Sequence, residues 1–235
     1  MPASALMNVM MAACRKAGRS LTRDFGEVEQ LQVSIKGPGN FVSQADHKAE
    51  EILFKELSKA RPGYQFIGEE RGTIDGADKT HSWICDPLDG TTNFLHAIPF
   101  FGTSLALVRD GEIVAGIVHN PVMDETFTAE KGKGAFLNDK RIRVAARKSL
   151  TDSVVSTGIP HRGWGSVKRS LMEMAKLSPE VAGMRSLGSA ALDLCYVGAG
   201  RFDGAWIRDL NSWDIAAGIL VIREAGGIVT DREGK

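Results

Sequence analysis

Trp83-Ile84-Cys85-Asp86-Pro87-Leu88-Asp89-Gly90-Thr91-Thr92-Asn93-Phe94 is the stretch that decides how this chain is read. A hydrophobic run ends at Asp86. Pro87 has no N–H to give a ladder and is expected to stop the strand there. Asp89 follows three residues later, then Gly90-Thr91-Thr92 at a possible helix start. A carboxylate at a strand end, another on the next turn and free backbone N–H groups suit a divalent cation holding a phosphate. The plainer alternative is that Asp86 and Asp89 only cap and turn the chain. The Gly-Thr-Thr tail weighs against it, and so does a second acidic segment far downstream, Trp213-Asp214-Ile215-Ala216-Ala217-Gly218.

Outward from this turn the pattern is first helical, then stranded. Apolar groups recur at helical spacing through 4–31 (Leu6, Val9, Met10, Ala13, Leu21, Phe25, Val28), predicting one or two opening helices. Lys36-Gly37-Pro38-Gly39-Asn40 is expected to be a loop, and Ser43 to Lys59 a helix with Asp46 in its first turn. Strands are expected over Gln65–Glu70, Ser82–Cys85, Thr103–Val108, Ile113–Val118, Glu125–Ala129, Ala135–Leu137 and Arg141–Val144. Asp110-Gly111 supplies a tight hairpin turn. Beyond Arg147-Lys148-Ser149 strands and helices alternate. Strands fall over Ser153–Thr157, Val181–Arg185, Gly204–Ile207 and Ile228–Thr230, and helices over Val167–Leu177, Ala190–Val197 and Trp213–Ala225. A meander-rich half, residues 1–147, followed by an α/β half, residues 148–235, is the expected division.

The chain has 235 residues, 29 basic and 29 acidic, for no net charge at pH 7. That balance argues against coating nucleic acid or a membrane surface. Cys14, Cys85 and Cys195 are far apart, odd in number and without metal spacing, so they read as buried thiols in a reducing cytoplasm. The start lacks a signal-peptide pattern and no run reaches membrane-spanning length. The expectation is a soluble cytoplasmic protein.

Hydrolysis of a phosphate monoester needs an in-line water, charge compensation on the equatorial oxygens and support for the leaving alkoxide; paired Mg²⁺ ions supply all three. Candidate oxygen ligands are Glu69 at one strand end, Asp86 and Asp89 at the next, the Leu88 carbonyl and Asp214 on the downstream helix. Asp86, between the others, is the natural bridging ligand.

On these residues the chain resembles the inositol monophosphatase family, within the lithium-sensitive, Mg²⁺-dependent phosphatase superfamily; the bacterial extragenic suppressor protein branch is nearest in pattern. Trp83 to His96 fits one family signature and Trp213 to Gly227 the other. The resemblance implies an α+β, α/β layered αβαβα sandwich of the inositol monophosphatase/fructose-1,6-bisphosphatase type, usually a homodimer inhibited by lithium. It implies two or three Mg²⁺ ions on Glu69, Asp86, Leu88, Asp89 and Asp214, and a nucleophilic water held by Thr91 with Asp46. The Gly90 and Thr91 amides would receive the phosphate beside Asp89 and Asp214, and Gly188-Ser189-Ala190 would touch the polyol. Lys36 matches a metal-site loop, or is simply a solvated lysine. Arg185 meets substrate, meets a dimer partner, or is an ordinary surface arginine. Alternation along a strand would let only one of Glu69 and Glu70 face the site; Glu69 takes the metal by its motif position, leaving Glu70 an auxiliary, water-positioning role. His96, His119 and His161 share no metal spacing and read as structural, and Trp206 and Trp213 as packing residues.

Two departures stand out. Inositol-acting members usually carry a glutamate seven residues before the helix aspartate, accepting a sugar hydroxyl; here it is Ile207. A buried hydroxyl left unpaired costs about 1–3 kcal/mol, so a broader set of sugar or nucleotide phosphate esters is expected, unless Arg208 or Asp209 substitutes. Family members also continue past Asp231–Lys235 into a last strand and helix, so a truncated chain or a disordered tail is expected. Two rival functions remain: action on fructose bisphosphate or a nucleotide 3′-phosphate, disfavoured by the short hairpins, and a partner role with transcription elongation factors in antitermination. The charge balance leaves no footprint for direct nucleic-acid contact.

Overall fold

A computed structural model describes residues 4–27, 33–37, 40–159 and 166–235, with the backbone alone over 33–37 and 40–43. Helix α1 (Ala5–Phe25) opens on Ser4, whose Oγ accepts the Met7 N–H at 3.0 Å. Met7, Met10, Cys14, Ala17 and Leu21 recur every three or four residues and are buried. Each large side chain so buried contributes about 1.5–3 kcal/mol. One helix therefore serves where one or two were expected; Val28 and the residues to 31 lie outside the described set.

Of the loop expected at Lys36–Asn40, Lys36 and Gly37 close one strand and Asn40 opens the next, while Pro38 and Gly39 lie outside the described residues. Strand β1 (Val33–Gly37) pairs antiparallel with β2 (Asn40–Ser43), which leads into α2 (Gln44–Ala60). Glycine and proline punctuate a hairpin as readily as an open loop.

The large sheet has eight strands, ordered β10-β9-β8-β7-β6-β5-β3-β4. In chain order they are β3 (Tyr64–Gly68), β4 (Gly72–Ile74), β5 (Asp78–Asp89), β6 (Gly102–Arg109), β7 (Glu112–Asn120), β8 (Glu125–Glu130), β9 (Gly134–Leu137) and β10 (Lys140–Ile142). The short helix α3 (Thr91–Leu95) follows β5. Asp110 and Gly111 both take positive φ (51° and 80°), giving the expected β6–β7 turn. Later come β11 (Val154–Thr157), α4 (Val167–Leu177), β12 (Gly183–Arg185), α5 (Ala190–Gly198), β13 (Gly204–Trp206) and α6 (Ser212–Glu224). The strands β12-β11-β13 form a separate parallel sheet.

Strand alternation sorts the core into layers. Trp83, Cys85, Leu105, Leu107, Ala115 and Ile117 face α1 and α2. Ala106, Val118, Phe127 and Ala129, on the other face, pack against Ala191, Leu192, Ala217 and Val221 of α5 and α6. A Cβ on Gly116 would stand 3.0 Å from the Ala217 Cα, so any larger residue there would push α6 outward by a few tenths of an ångström. Val197, Phe202 and Ile222 then meet Val154 and Ala205 of the small sheet. The result is the expected layered αβαβα sandwich, with α4 outermost and burying no residue.

Two further expectations fail. The β5 strand does not stop at Asp86 but runs through Pro87 to Asp89. Ile228–Thr230 is not a strand; Ile228 is 88% exposed. The alternation is there, but no neighbouring strand among the described residues offers it a ladder. Cys14, Cys85 and Cys195 are buried and unpaired, and burial pushes all three thiols up. No helix of the described residues is long and apolar enough to cross a membrane.

Candidate active site

The site begins with a defect in the sheet. Asp86 opposes Ser104 and Asp89 opposes Gly102, so β5 carries one extra residue between them. Pro87 sits within that bulge, where its missing N–H breaks no ladder. Its carbonyl accepts from Thr103 Oγ1 at 2.9 Å, and Asp86 Oδ1 accepts the Leu88 N–H at 2.8 Å. The bulge explains why the strand survives the proline. It also aims both carboxylates toward the end of the sheet.

Gly90, at φ 94°, turns the chain from β5 into α3. Thr91 Oγ1 then lies 3.0 Å from the Leu88 carbonyl and 3.3 Å from Asp46 Oδ2. Asp46 is 1% exposed in the first turn of α2. Around α3, Phe25, Phe94 and Phe101 pack in tilted and edge-to-face pairs with centroids 5.0–5.6 Å apart. Asn93 Nδ2 donates to the Phe100 and Leu187 carbonyls, both at 2.7 Å, tying α3 to the segment before α5.

On the far side two helix N-termini converge. Asp89 Oδ2 accepts from Ser189 Oγ at 2.5 Å and from the Ala191 N–H at 2.7 Å, at the start of α5. Gly188 precedes with φ 83°, and Ala190 is the first helical residue. Asp214, third in α6, accepts the Asn211 N–H at 2.7 Å.

The electrostatics show how tightly the acids are grouped. Burial pushes the Asp86 carboxyl well up, and repulsion from Glu69, Asp89, Asp214 and Asp46 adds to it. Asp89 is raised to about 7 by burial, held back by Ser189 and Ala191 and pushed further by Asp193. Asp214 is raised to about 7 by burial, then by Asp89. Buried, mutually repelling oxygen donors are the kind of set a hard divalent cation relieves, so the residues fit such an ion in charge and donor type. The arrangement is not a ready-made shell. Among the described residues no three His, Cys, Asp or Glu side chains are grouped to hold an ion directly. Asp89 and Asp214 each commit one oxygen to a protein donor.

Glu69 and Glu70 lie in a turn past the end of β3, so strand alternation does not separate them as expected. Their partners do. The Glu69 N–H bonds the Cys85 carbonyl (3.2 Å), and its charge acts on Asp86. The Glu70 carboxylate is 3.4 Å from His47 Nδ1, and its N–H donates to Glu50 Oε2 at 2.8 Å. Arg185 is exposed and turns back on its own strand to the Met184 carbonyl (2.8 Å); no hydrogen bond joins it to the acids among the described residues. Ile207 lies against Gly158. The Lys36 side chain and His161 fall outside the described set.

Two residues went unnoticed in the sequence. Glu50 is fully buried one turn after Asp46 and holds the Glu70 turn while pairing with Arg71 (3.4 Å); the i, i+4 spacing of Asp46 and Glu50 on α2 was the available signal. Asp193, in the first turn of α5, is pushed up to about 7 by burial and accepts from Ser156 Oγ at 2.7 Å. Nothing in its local sequence marks it.

A layered sandwich with acids gathered between a strand bulge and two helix starts defines a metal-dependent hydrolase of phosphate monoesters. Residues 3–235 match the inositol monophosphatase family, and the chain belongs to it. An inositol-1-monophosphatase of Mesorhizobium japonicum is 62% identical over 234 residues, spanning 100% of this chain and 88% of its own. The Nus factor SuhB of Escherichia coli K12 is 39% identical over 229 residues, 97% of this chain and 86% of its own. The crystal structure of the extragenic suppressor protein suhB from Bartonella henselae superposes with a TM-score of 0.96 at 59% identity, covering 98% of this chain and 89% of that one.

Proposed function

We propose that the protein hydrolyses phosphate monoesters with Mg²⁺, inositol monophosphate being the nominal substrate within a broader set. Glu69, Asp86, the Leu88 carbonyl, Asp89 and Asp214 would hold two or three ions. When bound, these would activate water, neutralise the phosphoryl oxygens and support the leaving alkoxide. Thr91 and Asp46 orient the attacking water: Thr91 Oγ1 lies within reach of the Asp46 carboxylate, which can take a proton relayed through the hydroxyl. The Gly90 and Thr91 amides receive the phosphate at the start of α3, and Gly188, Ser189 and Ala190 border the alcohol. Glu70 keeps the auxiliary, water-positioning role, held in the turn it shares with Glu50 and His47. The Thr91–Asp46 contact beside a buried, charge-repelled Asp86 is the observation that carries this reading.

The test is phosphate release from inositol 1-phosphate, glycerol 2-phosphate and AMP, with and without Mg²⁺, in the native protein and in Thr91→Ala. Metal-dependent release that falls in Thr91→Ala without loss of fold supports the reading. Release independent of Mg²⁺, or unchanged in Thr91→Ala, rejects it.

A homodimer is part of the same proposal. The α4 helix buries nothing and exposes Val167, Leu171 and Met172, each more than half accessible, an apolar face that a second copy would cover. Arg185 is proposed to serve at that interface or toward substrate. Residues 1–147 and 148–235 are proposed as the two halves, supported by the change from a largely antiparallel to a parallel sheet. A cytoplasmic setting fits three buried free thiols. The SuhB relatives support a second reading, contact with transcription elongation factors through protein surfaces, since the chain carries no net charge for nucleic acid. Pull-down by those factors of an Asp89→Asn variant, inactive but folded, separates binding from turnover.

A further inference from the structure

A second concavity lies on the α1 side of the large sheet. Its volume is about 760 Å³, within the range of roughly 300–1,000 Å³ typical of small-molecule sites. One wall is Arg15, Arg19 and Arg23, four residues apart and so stacked along one face of α1. The cavity is also lined by Asp124, in the β7–β8 turn, by Asp139, in the β9–β10 turn, and by His119, whose ring feels the charges of both Arg15 and Asp124.

The basic residues of α1 differ in what occupies them. Lys16 pairs with Glu56 at 2.5 Å, and Arg23 donates through Nε and Nη2 to Asp24 Oδ1, both at 3.0 Å. Arg15 and Arg19 have no ion pair among the described residues, although both are exposed and line the cleft. Two uncommitted guanidinium forks side by side match the oxygens of a phosphate. The acidic part of the lining has the reverse character. Asp124 and Asp139 hold turn positions with φ of 53° and 65°, and their carboxylates can accept hydroxyls while repelling a bare anion.

The floor is built for close approach. A Cβ on Gly18 would lie 2.8 Å from His119 Nε2, so α1 rests on the ring through a bare glycine. Thr126 Oγ1 fixes the other ring nitrogen at 2.9 Å. His119 pairs in register with Thr103, the residue whose hydroxyl supports the Pro87 carbonyl in the bulge. The cleft thus lies two strands, roughly 10 Å, from the catalytic turn and is a separate place.

We propose that this cleft binds a sugar phosphate, its phosphate between Arg15 and Arg19 and its hydroxyls toward Asp124 and Asp139. The proposal does not depend on the reaction assigned to the acid group. Its test is calorimetric titration of the metal-free full chain with glucose 6-phosphate and, in a parallel run, fructose 6-phosphate. Glucose alone and inorganic phosphate alone are separate arms. Without metal the acid group repels anions, so saturable heat reports on the cleft. One site per chain is expected, binding at least one sugar phosphate more tightly than either fragment. Arg15→Gln with Arg19→Gln should weaken it about tenfold or more, as loss of charge-assisted hydrogen bonds does. Asp139→Asn should weaken the sugar phosphate but not inorganic phosphate, and Asp214→Asn should change nothing. No saturable binding of either ester, full binding by the double arginine variant, or loss in Asp214→Asn would overturn it.

Discussion

The bulge at Asp86–Asp89 carries two of the acids and the segment 207–211 leads into the helix that carries a third, Asp214, yet the two are held to different degrees. The bulge is braced from every side: by Thr103 on the next strand, by its own Leu88 N–H, by Thr91, and by Ser189 and Ala191 a hundred residues away. The 207–211 segment is tied to the acids at its end, where the Asn211 N–H donates to Asp214 at 2.7 Å. Its Arg208 reaches outward to Glu173 of α4 (Nε 3.0 Å), Ile207 packs on Gly158, and Asp209 sits at φ 57°. On the proposed reading, the bulge is the phosphate side and is over-determined, while the 207–211 segment is the alcohol side and is set by contacts that leave room to vary. Chemistry and selectivity are therefore separable in this molecule.

Breaking the braced side should have the largest effect. Asp86→Asn is expected to lower Mg²⁺-dependent phosphate release by about a thousandfold, since metal charge stabilisation is worth several kcal/mol. Glu70→Gln, whose carboxylate points to His47, should cost less than about tenfold. Steady-state rates on one ester compare the two. The opposite ranking would move the ligand assignment from Glu69 and Asp86 to Glu70.

The next effect follows from the raised acids. Asp89 and Asp214 are both lifted to about 7, so below pH 7 they keep protons that a cation must displace. The Mg²⁺ concentration giving half-maximal activity should be nearly constant above about pH 7 and approach a tenfold rise per pH unit per displaced proton as pH falls below it. The stability of the metal-free protein carries the matching sign. Folded pKa values above the unfolded ones mean that the contribution of these groups is intact below about pH 4 and lost as pH rises to about 7. Mg²⁺ should then restore melting temperature more at pH 8 than at pH 5. A half-maximal Mg²⁺ concentration independent of pH would detach the ion from these carboxylates.

The same contrast explains what could be read from the chain. The Asp-Pro-Leu-Asp-Gly-Thr-Thr turn was legible because its residues carry their own local instructions, as Asp110-Gly111 does. The helix expected over Val167–Leu177 from the alternating strand and helix rhythm has those bounds in the structure. What local rules missed was decided by partners. Pro87 reads as a stop, but an extra residue in β5 absorbs its missing N–H. Ile228–Thr230 reads as a strand, but without a neighbour its backbone cannot form one. Glu69 and Glu70 read as opposite faces of a strand, and a turn placed them by different contacts. Glu50 has a spacing signal in its i, i+4 relation to Asp46, but Asp193 acquires meaning only from burial, which its local sequence does not reveal.

On the loosely held side, Ile207→Glu should sharpen selectivity. A glutamate there offers an acceptor for a polyol hydroxyl, worth about 1–3 kcal/mol, so preference for inositol 1-phosphate over glycerol 2-phosphate should rise about tenfold. Ratios of kcat/KM give the measure. No change would mean that Ile207, packed on Gly158, faces away from the alcohol.

The smallest effect concerns the backbone of the same segment. A non-glycine residue at φ 57° costs about 1 kcal/mol unless its side chain earns the position locally. Asp209→Gly relieves that cost but adds freedom to the unfolded chain, which opposes it by about 0.4–1 kcal/mol. The Asp209 carboxylate also has interactions of its own to lose. The terms nearly cancel, so the expected shift in melting temperature is within about 2–4 °C of zero, the displacement that 1 kcal/mol produces at this size. A larger fall would show Asp209 to be a fastening for the loop rather than a tolerated substitution. The alcohol side would then be held as firmly as the bulge, and Ile207→Glu should fail to retune it.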